Sequence, residues 1–174
     1  MYSDPTTYYL IKGILEAEND SKQKLGQRFA DCLQLTPGPG GSDDGIDGST
    51  FFEGKKIHFQ SKLSRKPLDK DEARKYYSDI KYHRADVSIM LSGVGYKDTF
   101  TDRLYGHPDI GLIRIHLLTL QDLFEKTEAF YNALKDLPPG DRGKAGSRVS
   151  LERGGKPTRA VLTASNILDH DAGH

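Results

Sequence analysis

The stretch "STFFEGKKIHFQSKL", residues 49–63, constrains the fold more than any other part of the chain. Thr50, Phe51 and Phe52 are strand formers, "EGKK" is a turn, and Lys56 to Leu63 is a return strand, so the stretch reads as a β-hairpin. Successive side chains of a strand point to opposite faces. Ile57, Phe59, Ser61 and Leu63 therefore form a core face, and Lys56, His58, Gln60 and Lys62 form a hydrophilic one. The second face is expected to meet water or a site.

The flanking sequence supplies the layers that cover such a hairpin. "TTYYLIKGILEAE" (6–18) places Tyr9, Leu10, Ile14 and Leu15 near one helical stripe. "NDSKQKLGQRFADCL" reads as a second amphipathic helix with Asp20 or Ser21 as its cap, and Pro37 and Pro39 end it. Any strand at 33–36 would be very short. After the hairpin, "PLDKDEARKYYSDIKYHR" is a helix with Asp69 as cap and Glu72 at capping-box spacing. Two apolar runs, "DVSIMLSG" and "IGLIRIHLL", read as strands separated by a short helix ending at Gly106. "TLQDLFEKTEAFYNALKDL" reads as one long helix capped by Thr119. The order predicts an α/β sandwich around a mixed sheet, antiparallel at the hairpin and parallel across the later crossovers. Residues 1–137 are expected to form this domain. Residues 138–174, rich in Gly and basic residues and poor in large apolar ones, read as a flexible tail.

Cys32 is the sole cysteine among 174 residues, which excludes an internal disulfide framework and a multi-cysteine zinc site. With no long apolar run and no signal-like N-terminus, a reducing cytoplasm is the simplest expected compartment, and no membrane partner is expected. Net charge is zero but unevenly spread. Residues 1–54 carry four Lys/Arg and nine Asp/Glu, residues 55–84 ten and four, and residues 140–160 six and two. An acidic loop ahead of a basic band suits a metal site beside a phosphate backbone, although charge runs also make solvated faces.

The acidic loop is "GPGGSDDGID", ending at Asp47. Alone, Asp44 and Asp47 read as turn residues. A hairpin of this length brings its return strand back past Asp47, however, and there Asp47 meets Gln60-Ser61-Lys62. A carboxylate, an amide oxygen and the Ser61 backbone carbonyl are hard oxygen donors suited to Mg²⁺ or Mn²⁺. Lys62 beside them would orient water or neutralise charge at phosphorus, which fits phosphodiester hydrolysis. Lys55, Lys56, His58, Arg65 and Lys66 are candidate phosphate contacts or plain solubilising residues. Tyr76, Tyr77 and Tyr82 suggest either base stacking or core packing. His170 and His174 have the spacing of a metal pair without a third ligand.

"GGSDDGIDG" followed by "IHFQSKL" resembles the catalytic core of Mrr-type restriction endonucleases, in the PD-(D/E)xK superfamily, where the second motif often reads QxK. The likeness spans roughly residues 19–130, including the helix, the apolar strand "VSIMLSG", and the short helix, strand and helix that follow. It implies a restriction-endonuclease-like fold and Mg²⁺-dependent cleavage of DNA, by in-line attack that leaves a 5′ phosphate, in defence against foreign DNA. It assigns Asp47 as the metal-binding aspartate, Gln60 as the second ligand and Lys62 as the catalytic lysine. Double-strand cleavage would then call for a homodimer or a targeting partner. The family commonly has a glutamate after a helix phenylalanine; here Phe29 is followed by Ala30. Glu16, Glu18 and Asp31 are the candidate substitutes, with Asp44 as support for Asp47. The missing acid opens a second reading, a catalytically weak or inactive nucleic-acid-binding subunit. A nuclease acting on RNA or branched DNA is a third.

Overall fold

The computed structural model describes residues 2–38 and 45–140. Asp43, Asp44, His170, His174 and the tail from 141 onward lie outside the described residues. Two helices open the chain, α1 (Pro5–Glu16) and α2 (Asn19–Cys32). Asp4 caps α1, its carboxylate accepting from Thr6 N at 2.9 Å, and Pro5 occupies the first turn, where its missing N–H costs nothing. The second helix starts earlier than its sequence suggests. Glu18, not Asp20 or Ser21, is the N-cap residue, and it makes no side-chain cap bond.

Then follow β1 (Thr36–Pro37), β2 (Gly48–Phe52), β3 (Lys55–Lys62), α3 (Lys70–Tyr82), β4 (Val87–Ser92), α4 (Asp98–Tyr105), a 3₁₀ turn (Ile110–Leu112), β5 (Arg114–Thr119), α5 (Leu120–Glu125) and α6 (Glu128–Leu134). The sheet order is β1-β2-β3-β4-β5. The first three strands pair antiparallel, and β3, β4 and β5 pair parallel. The chain is thus a mixed α/β domain, a five-stranded mixed sheet flanked by helices, compatible with the expected fold class. The hairpin turns on Glu53 and Gly54, both at positive φ (50° and 75°), the two-residue geometry whose twist matches the strands.

Each face of the sheet has its own core. Ile57, Phe59, Val87, Ile89 and Leu91 pack against Ile11 and Ile14 of α1, Phe29 of α2, and Leu120 and Leu123 of α5. On the other face Met90 packs with Tyr76 and Ile80 of α3 and with Phe100 and Leu104 of α4. Full burial of each such large apolar side chain contributes about 1.5–3 kcal/mol. No helix among the described residues is long and apolar enough to cross a membrane.

The expected single C-terminal helix is two helices. Lys126 takes a left-handed conformation (φ 52°) and ends α5. Local bonds favour the break: Asp122 completes the capping box with Thr119 at the start of α5, and its other oxygen accepts from the Thr127 hydroxyl at 2.6 Å. A non-glycine residue in this region is strained by about 1 kcal/mol. Lys126→Gly is therefore expected to raise the urea midpoint, by about 0.5–1 kcal/mol in unfolding free energy.

Candidate functional site

The site forms at the C-terminal end of β3, where an antiparallel and a parallel neighbour meet. Asp47 precedes β2, and its N–H donates to the Phe59 carbonyl at 2.8 Å, extending the ladder by one rung toward Gln60. Its own carbonyl accepts from Gly38 N at 2.8 Å, tying the two ends of the acidic loop together. The side chain completes the rung: one carboxylate oxygen accepts from Ser61 N at 2.6 Å and from the Ser61 hydroxyl at 2.9 Å. Burial pushes the Asp47 carboxyl above its ordinary pKa, opposed by the two Ser61 hydrogen bonds and by the Lys62 charge. A buried carboxylate held partly against its preference for water is a good place for a cation.

On α2, Gly26 lies close to this carboxylate. A Cβ there would stand 3.2 Å from the Asp47 carboxylate and collide with the Ser61 hydroxyl. Ala30, one turn on, is fully buried, and a Cβ added at Gly48 would press into its own. No room is left at Ala30 for the glutamate that the resemblance expects. Of the candidate substitutes, Glu16 ends α1 and Glu18 precedes the first turn of α2. Glu16 is exposed and shares a surface crevice with Leu15 and Arg65, whose Nε donates to the Leu15 carbonyl at 3.2 Å; Glu18 is the N-cap of α2.

The hydrophilic face of β3 turns out to be covered by α3. Gln60 is half-buried, and its Nε2 donates to Asp79 of α3 at 3.2 Å. Its Oε1 is buried and has no hydrogen-bond partner among the described residues. Lys62 points the same way, 3.8 Å from Glu72, which also meets Lys75 at 3.4 Å. The structure therefore joins Gln60 and Lys62 on the α3 side, as the period of two requires. The Asp47 carboxylate lies on the α2 side with Ser61, at the same end of the sheet. Among the described residues no three His, Cys, Asp or Glu side chains cluster to hold a metal ion. The oxygens at this end lie on the two sides of the sheet: the Asp47 carboxylate on the α2 side, and Gln60 Oε1, without a hydrogen-bond partner among the described residues, on the α3 side.

His58 overturns its expected role. It is fully buried, so it cannot touch a phosphate. Its Nε2 lies 2.6 Å from the Gly45 carbonyl and its Nδ1 2.8 Å from the Ser88 hydroxyl, which lies 2.6 Å from the Tyr76 hydroxyl. Since the Gly45 carbonyl can only accept, Nε2 carries the proton and Nδ1 accepts from Ser88, which accepts from Tyr76. Burial foremost, with the charges of His83 and Lys56 adding to it, lowers the His58 pKa to about 4 in spite of the Gly45 bond. The neutral ring thus anchors the loop two residues before Asp47.

The basic residues divide by distance along β3. Lys55 and Lys56 start the strand, six or seven residues and about 20 Å from Lys62, so they do not flank the site. Arg65 and Lys66 follow its end and remain exposed beside it. Of the tyrosines, Tyr76 is core, Tyr77 bonds Asp109 at 2.7 Å, and Tyr82 is 74% exposed.

Sequence reasoning missed Glu72 and Asp79 as neighbours of the site. The signal was present: Glu72, Tyr76 and Asp79 share one face of α3 at spacings of four and three. Asp79 meets the loop as well, because its carboxylate fills the place of the missing Cβ of Gly45, whose φ is +60°. Gly45→Ala is expected to destabilise the protein by about 2 kcal/mol, by strain at positive φ plus displacement of Asp79, readable as a lowered urea midpoint.

No protein-family model matches the chain, and no curated protein matches it either.

Proposed function

We propose that this protein is a metal-dependent nuclease that hydrolyses phosphodiester bonds of DNA, built on the PD-(D/E)xK plan in its QxK form. The observation that carries the reading is the bonding of the Asp47 carboxylate to Ser61, the residue between Gln60 and Lys62, at the end of the sheet where Gln60 Oε1 is buried without a hydrogen-bond partner among the described residues. An orphaned amide oxygen in a buried polar place is costly unless something coordinates it. On the resemblance, Mg²⁺ or Mn²⁺ would be held by Asp47, Gln60 Oε1 and the Ser61 carbonyl, which requires the Asp47 carboxylate, bonded to Ser61 on the α2 side, to turn toward Gln60, and the ion would supply charge neutralisation at the scissile phosphate. Lys62, about half exposed, reaches out of the sheet end, where its ammonium can hold the attacking water or a non-bridging phosphate oxygen. Arg65 and Lys66 extend the positive edge along which a phosphate backbone would lie. A second protomer or a targeting protein would supply the second cut, and a role in defence follows from the resemblance.

The second reading, a nucleic-acid-binding subunit without activity, is favoured by one specific observation. The Asp47 oxygen is already bonded twice by Ser61, and Gly26 and Ala30 stand where an acid would reinforce it. Incubation with supercoiled plasmid, linear duplex, RNA and branched DNA over Mg²⁺ and Mn²⁺ separates the readings. Metal-dependent cutting of DNA supports the first, binding without cutting supports the second, and cutting confined to RNA or junctions redirects the substrate.

A further inference from the structure

We infer that Asp79 of α3 is the positioning residue of this site: it holds the Gln60 amide so that Oε1, rather than Nε2, is presented to the cation. The inference rests on the metal-dependent reading above. A carboxamide has two ends of opposite polarity and nearly equal shape, so a glutamine ligand needs something to fix which end faces the metal. An acidic ligand at that position would not, because both of its ends are oxygens. Here Gln60 Nε2 lies 3.2 Å from Asp79 Oδ2. Rotating the amide would set Oε1 against a carboxylate oxygen, two acceptors in contact, and would turn the N–H₂ toward the cation. Both contacts are repulsive, so Asp79 selects one orientation, and in it Oε1 is the buried atom without a partner among the described residues.

Two further features hold Asp79 there. Its carboxylate occupies the space that a Cβ at residue 45 would need, so the glycine of the acidic loop admits it. The same loop residue is fixed from behind by His58 through the Gly45 carbonyl at 2.6 Å. The loop that carries Asp47, the helix residue that orients Gln60, and the strand that carries both Gln60 and Lys62 are thereby in register. The acid absent from α2 is answered from the opposite face of the sheet by one that acts through the glutamine.

The test uses the full chain, with Mn²⁺ alone as the probe. Mn²⁺ affinity is measured by titration calorimetry for wild type, Asp79→Asn, Asp79→Ala, Gln60→Glu and the double variant Gln60→Glu/Asp79→Ala. The Gln60 side-chain amide is followed by NMR without metal. Asp79→Asn keeps an acceptor for Gln60, so its affinity is expected to stay within about threefold of wild type. Asp79→Ala removes the acceptor and is expected to weaken binding about tenfold, an amide hydrogen bond or so, with loss of the distinct Gln60 N–H₂ resonances. In the Gln60→Glu background, Asp79→Ala is expected to strengthen binding, since it removes repulsion and there is no orientation to select. Equal weakening by Asp79→Ala in both backgrounds means a merely structural role and overturns the inference. So does unchanged affinity of Asp79→Ala where Asp47→Ala abolishes binding; the metal reading then survives alone. Absence of Mn²⁺ binding by the wild type sinks the metal reading, and this inference with it.

Discussion

Lys62→Ala is expected to cut Mg²⁺-dependent plasmid cleavage about 10³-fold while leaving the fold intact. The activity figure follows from what a positioned ammonium contributes when charge develops at phosphorus, about 10²–10⁴ in rate. The fold is spared because Lys62 is 49% exposed and its partner Glu72 lies 3.8 Å away, an ion pair of the kind worth about 0.2–1 kcal/mol at most. The urea midpoint should hardly move. Asp47→Ala is expected to abolish cleavage too, but with a different signature. Removing that carboxylate strands the Ser61 N–H and hydroxyl at the end of β3, a loss of about 1–3 kcal/mol. Asp47→Asn keeps an acceptor for Ser61 and should restore most of the stability without restoring activity. Cleavage that survives both Lys62→Ala and Asp47→Asn would remove the assignment of this site, whatever the substrate.

The largest stability effect is expected at His58. Its neutral form is required in the folded protein, with a pKa of about 4 against an ordinary 6.5. The folded pKa is the lower of the two, so between those values the unfolded chain takes up a proton that the folded one refuses. Stability contributed by the neutral ring is fully present above pH 6.5, and is lost as pH falls toward 4. The size is about 3 kcal/mol, at roughly 1.36 kcal/mol per unit. Asp47 works with the opposite sign, because burial raises its carboxyl and the folded form binds its proton first. Its contribution begins lower, closer to an ordinary carboxyl range. Urea unfolding of wild type and His58→Phe, followed from neutral pH down to about 4, isolates the histidine. The variant is expected to start about 3 kcal/mol less stable at neutral pH, because the Gly45 carbonyl and the Ser88 hydroxyl lose their buried partner. The two curves should converge on acidification. Parallel curves would mean that His58 is not held neutral by its burial.

His58 also shows where reading the chain stops. The period of two in "KKIHFQSK" correctly sorted Ile57 and Phe59 from His58, Gln60 and Lys62, because alternation is a property of any extended backbone. It could not say what would lie over the second face. That face was expected to meet water or a site; α3 covers it, and its polar groups meet partners across the gap. His58 bonds the loop and Ser88, Gln60 bonds Asp79, and Lys62 pairs with Glu72. The error at Lys55 and Lys56 has the same source. They are near the motif in sequence, but an extended strand carries neighbours away from one another at about 3.3 Å per residue.

The elements that depend on neighbours along the chain were legible in the residues alone. Asp69 caps α3, Thr119 caps α5, Gly106 ends α4, and the hairpin forms where two strand-forming runs flank a short turn. These are interactions across at most a few positions, written into residue types. The mixed sheet followed, since a hairpin must be antiparallel and a helical crossover favours a parallel return. The break at Lys126 lay at the limit of this kind of reading, because it turns on how Asp122 divides its two oxygens between Thr119 and Thr127.

Contacts between elements were decided only in three dimensions. That Gly26 and Ala30 leave no space for an acid on α2 depends on how closely that helix approaches Ser61 and Gly48. That Asp79, nineteen positions after Gln60, orients its amide depends on the packing of α3 across the sheet. The sequence by itself determined that Asp47, Gln60 and Lys62 would come to one end of a hairpin, because backbone pairing obeys a local register. The tertiary structure decided which side chains would face them, because packing brings together residues whose spacing along the chain carries no period at all.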